Sequence, residues 1–159
     1  MTPMAPLKLL HVVLAFAFVS GLVGRWLLLR IAARSDDVHL ADRFSEAAAP
    51  FERLVVWGSL AVPVVGLLTA WAQGYPWLGL TTGWMLASVA LLLSMLPAVP
   101  LVFVPRGRVF AAEMEAARTA GVVTPRLRAA FHDRAVAAAR TYEMVAVAAI
   151  VTLMVLKPF

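Results

Sequence analysis

The sequence holds no cysteine, which excludes disulfides, thiolate metal sites and a cysteine nucleophile. Charge is scarce too: 14% of the 159 residues are Asp, Glu, Lys or Arg, against about a quarter in a typical soluble domain. All nine acids fall in two windows, 36–52 and 113–143, and residues 54–104 carry no charge at all. The signatures of soluble enzymes are missing as well. There is no G-x-G-x-x-G, no P-loop, no H-E-x-x-H and no nucleophile elbow, and Ser59 in WGSLA lacks the elbow pattern. No motif assigns a catalytic residue, and the reading leans away from an enzyme.

What the chain has in place of charge is long apolar runs. It is 62% hydrophobic, with a mean hydropathy of +0.86. The stretch 7–29, LKLLHVVLAFAFVSGLVGRWLLL, is long enough as a helix to cross a hydrocarbon layer of about 30 Å. It reads as an uncleaved anchor and not a secretory signal. No small-x-small cleavage site follows it, and Arg25 and Arg30 stand where cleavage would fall. Three further spans follow at about 54–72, 80–104 and 137–157, joined on one side by polar connections at 30–53 and 105–136. The expected fold is an all-α integral membrane four-helix bundle, one domain over 1–159, with helical extensions outside the bilayer.

Local signals predict the joints. Ser35 can cap a short helix over 36–49 that Pro50 ends, and Pro63 should kink the second span. Gln73-Gly74-Tyr75-Pro76 is a turn, ringed by Trp71, Tyr75 and Trp77 as at a headgroup boundary. Pro97, Pro100 and Pro105 should bend or unwind the second half of the third span. Gly121 stops a helix, Thr124-Pro125 starts the next, and nothing breaks that helix from Pro125 to Lys157.

Small residues mark packing faces: Ala17, Ser20, Gly21 and Gly24 in the first span, and Gly58, Gly66 and Ala70 in the second. They suit close approach of helices within the chain or in a homo-oligomer. The net charge of +5 points to anionic lipid and not to nucleic acid, because the basic residues flank apolar spans. Eleven arginines lie in the two connections or at their edges, against Lys8 and Lys157 on the other side. The positive-inside rule therefore predicts cytoplasmic connections and both termini outside.

Two groups of ionisable residues lie within the predicted spans. Arg25, Arg140 and Glu143 fall at similar depth, so Arg25 can tie the first span to the fourth through Glu143, and Arg140 can pair with Glu143 at i,i+3. His11 is the one histidine inside a span. It is either a neutral residue bonded to a neighbouring helix or a ligand for haem or copper, with Met85 and Met154 in the same leaflet as candidate partners.

The segments LKLLHVVLAFAF at 7–18, RSDD at 34–37, AQGYPWL at 72–78 and LMVLKP at 153–158 together resemble a family of small bacterial integral membrane proteins of unknown function with four predicted spans. The resemblance covers nearly the whole chain. It implies a four-helix bundle in the bacterial plasma membrane and brings no activity. The opening LKLLH is also distantly similar to the first helix of copper-resistance membrane proteins and of a haem-binding oxidase family of porphyrin synthesis, where an intramembrane histidine matters. The residues and the resemblance favour a non-enzymatic accessory or scaffold subunit that sits in the lipid bilayer and packs against other membrane subunits or a second copy. The alternatives are a haem- or copper-binding redox protein using His11, and a small transporter using the proline-broken third span.

Overall fold

In a computed structural model the chain is described over residues 4–158. The described residues form six α-helices and no strand. α1 spans Met4–Ala32 and α2 spans Val38–Ala72. A turn containing a short 3-10 segment, Pro76–Gly79, leads to α3, Gly83–Met95. A π turn, Val99–Phe103, carries the chain into α4, Val104–Ala120. α5, Pro125–Phe131, and α6, Arg134–Leu156, complete the fold. Four helical stretches are long and apolar enough to cross a membrane: Ala5–Ala32, Val38–Ala72, Gly83–Ala120 and Pro125–Leu156.

α1 and α2 pack as one antiparallel hairpin and α3 packs on α6. Glycine makes the first hairpin close. A Cβ on Gly21 would stand 2.9 Å from the Phe51 carbonyl oxygen, and one on Gly58 would stand 2.8 Å from Phe18 Cβ. Gly24 likewise faces the Phe51 ring. The small faces of α1 and α2 are thus turned on each other inside the chain, while Ser20 is exposed. The two hairpins meet in a core of Phe18, Leu22, Val55, Met95, Ala146 and Val147. Outside that core, large apolar side chains such as Phe16, Trp57, Leu101 and Val155 are exposed, as a lipid-facing surface requires.

α2 has 35 residues, about 52 Å at the helical rise, so its first turns stand beyond a 30 Å apolar layer. Those turns pack with α4 and α5 into a second core of Val38, Met114, Ala117 and Leu127, with Phe110 and Phe131 edge to face at 4.9 Å. Arg118 bonds Asp42, Glu46 and Glu115, and Arg128 bonds Asp36. We call this assembly the cap. It lies at the bundle end where α1 finishes and α6 begins.

Three local expectations need correction. Pro50 does not end a helix: α2 runs through both Pro50 and Pro63. A proline removes one helical hydrogen bond, and packing on either side, through Ala48 and Val55, holds the helix across the gap. The N-cap of α2 is Asp37, whose Oδ1 accepts from His39 N–H at 2.8 Å; the Ser35 hydroxyl instead ties off the preceding turn at the Asp37 backbone. The last helix is not continuous from Pro125. It breaks at His132–Asp133, because the Asp133 carboxylate caps α6 by accepting from Ala135 and Val136 N–H at 2.9 and 3.1 Å. The sequence signal for this break, an aspartate followed by a good helix former, is present in HDRA. The prolines of the third span act as expected, with the π turn lying between Pro97 and Pro105.

Candidate functional site

Two polar positions in the membrane layer tie ionisable side chains to a neighbouring helix, one toward each end of the bundle. At the cap end, α1 carries Arg25 toward α6. Arg25 Nη2 donates to Glu143 Oε2 at 2.9 Å, and both side chains are about nine-tenths buried, at 9% and 11% exposure. The π turn brings Phe103 over the same guanidinium, 5.4 Å from the ring centroid to Cζ. A buried carboxylate needs such a partner, because burying an unpaired charge is costly. Arg140 sits three residues before Glu143 on α6 and is half-buried. Among the described residues it makes no hydrogen bond to a side chain or backbone group; Glu143 is bonded to Arg25 instead. The Nε atoms of Arg25 and Arg140 are both buried without an acceptor.

At the other end lies His11. Its Nδ1 stands 3.1 Å from the Val62 carbonyl oxygen, one residue before Pro63 on α2. A carbonyl only accepts, so the proton belongs on Nδ1 and the lone pair on Nε2. Gly66 makes room for the ring: a Cβ there would stand 2.9 Å from His11 Cε1. Met85 belongs to a separate cluster with Ala70 and Trp84, against which Met154 and Leu153 pack. His11 forms no hydrogen bond to either methionine among the described residues, and its own contacts run to α2. Among the described residues no group of three or more His, Asp or Glu is arranged to hold a metal ion.

Sequence reasoning found Arg25, Glu143 and His11 as anomalies of depth. It did not find Val62 or Phe103. Val62 contributes a backbone carbonyl, which no side-chain pattern reports. Phe103 reaches Arg25 through the π turn, and the proline cluster was the available signal for that irregularity.

A family model described as predicted integral membrane protein (DUF2269) matches residues 5–158. The chain belongs to this family. The DUF2269 match takes in all four apolar helices, both polar positions and the cap, so the protein is a four-span, all-α integral membrane protein. No curated protein and no solved structure matches the chain.

Proposed function

We propose that this DUF2269 protein is a non-enzymatic subunit of the bacterial plasma membrane. It packs against other membrane helices as an accessory or scaffold protein, with the cap in the cytoplasm and both termini outside. The observation that carries this reading is the cap. A helical element with its own apolar core is clamped by Arg118 to the projecting turns of α2 and by Arg128 to Asp36 just before them, and α2 continues unbroken into the bundle. Such a platform presents a fixed surface at the membrane boundary. The orientation follows from the arginines of the two connections, which lie on the cap side and which the positive-inside rule assigns to the cytoplasm.

One observation favours a second reading. The Nδ1–H bond to Val62 fixes the tautomer that leaves the Nε2 lone pair free, and a histidine in that tautomer is prepared to bind haem iron or copper. Gentle extraction from the native membrane tests both readings. Stoichiometric co-purifying chains or a second copy, with no visible band and no metal, support the subunit. A monodisperse monomer counts against it. A Soret band or stoichiometric copper lost in His11→Ala supports the redox reading, and a band that survives that change removes it.

A further inference from the structure

The charge cluster at the cap end of the membrane layer is unbalanced. Two guanidinium groups, Arg25 and Arg140, share one buried carboxylate, Glu143. Arg25 is 8% exposed, is held on Glu143 and Phe103, and has an Nε hydrogen with no acceptor. Arg140 lies within electrostatic reach of Arg25, Glu143 and Glu52, and no ion pair forms between it and either acid among the described residues. Glu52 is exposed and stays unbonded to Arg140. One positive charge therefore sits half-buried at the boundary of an apolar layer without a bonded counter-charge.

The surroundings say what kind of anion fits. Arg140 stands on α6 just before its uncharged run, residues 144–156, where the exposed apolar surface of the bundle, such as Val145, Val151 and Val155, begins. In a bilayer these face acyl chains, so an anion arriving here comes with hydrocarbon attached. We propose that Arg140, backed by the positive charge of Arg25, binds the phosphate of an acidic phospholipid headgroup at the cap-side boundary. A guanidinium fork matches phosphate oxygens in a bidentate way that a lysine does not. A negative headgroup also answers the second arginine without protonating Glu143, and so leaves the Arg25–Glu143 tie in place.

The test uses the full chain, stripped of lipid in dodecyl maltoside, with thermal unfolding followed as dioleoylphosphatidylglycerol, dioleoylphosphatidylcholine or sodium phosphate is added at fixed ionic strength. The expected result is a larger rise in Tm with phosphatidylglycerol than with phosphatidylcholine at equal mole fraction. Arg140→Gln should weaken the apparent phosphatidylglycerol affinity about tenfold, the equivalent of one charge-assisted hydrogen bond, and Arg140→Lys should lose less. Equal shifts from the two lipids overturn the proposal, as does a full phosphatidylglycerol preference in Arg140→Gln. A shift reproduced by phosphate alone assigns the site to a soluble anion and overturns the lipid. Should the glutamine variant not fold, native mass spectrometry of the unaltered protein in a mixture of the two lipids decides: one retained phosphatidylglycerol supports the site, and no preference removes it.

Discussion

Glu143 is the residue on which the two halves of the bundle depend most directly. It accepts from Arg25 across the α1–α6 contact, and both groups are nearly withdrawn from solvent. Removing one partner of a buried pair leaves the other charge unanswered, a loss of about 3 kcal/mol or more, whereas replacing both by apolar groups is often neutral. Glu143→Gln should therefore lower Tm in detergent, and Arg25→Leu should do the same. The double variant Arg25→Leu/Glu143→Leu should be more stable than either single one. Thermal unfolding of the four proteins under one detergent condition checks this, and unchanged stability in Glu143→Gln would refute a structural tie. The pair was legible in the sequence because a span of fixed length sets depth, and equal depth is what an ion pair between spans needs. The place of Arg140 was not legible. The i,i+3 spacing allows a pair with Glu143, but that spacing cannot say that the carboxylate turns to α1 instead.

At the scale of the element, the join between α5 and α6 is set by Asp133. Its carboxylate accepts from Val136 and Ala135 N–H and from Arg106, and these bonds hold its pKa below the usual carboxylate value, the Val136 bond contributing most. A depressed carboxylate stabilises the folded state above its ordinary pKa, near 4, and that contribution is lost as pH falls through the folded value. The first turn of α6 should then exchange its amide hydrogens faster on acidification below about pH 4. Asp133→Ala should show fast exchange at every pH, with a loss of about 1 kcal/mol for the missing cap. Asp133→Asn should keep the cap and lose the acid dependence. Hydrogen exchange at residues 135–137 reads all three; equal protection in Asp133→Ala would disprove the capping role. The same element shows where periodicity misleads. Residues 125–157 contain no glycine and no internal proline, so the pattern reads as one helix. One aspartate side chain competing for two backbone donors was enough to divide it.

The whole molecule holds two cores of different kinds, and they should fail separately. The bundle core joins α1, α2, α3 and α6 in the apolar layer, while the cap core gathers α2, α4 and α5 beyond it. Hydropathy made the first legible, since long uncharged runs have few other uses. The second was hidden, because the alanine-rich helices of the cap give little periodic signal and its apolar contacts come from three distant segments. Its ion pairs are exposed enough to be screened, and at 1 M salt the Debye length is about 3 Å. The apolar contacts are not screened, so Leu127, which is completely buried, should be the residue that holds the cap closed. Leu127→Ala removes about 2–5 kcal/mol of packing by comparison with other buried leucines. In lipid nanodiscs this variant should be cut rapidly by trypsin at Arg126, Arg128 and Arg134 while the apolar spans stay protected. High salt acting on the unaltered protein should accelerate cleavage far less. If salt opens the cap as readily as the leucine change does, the ion pairs and not the apolar core hold it. If Leu127→Ala resists trypsin as the parent does, the cap is not a separately stabilised unit, and the platform proposed for partner binding loses its rigidity.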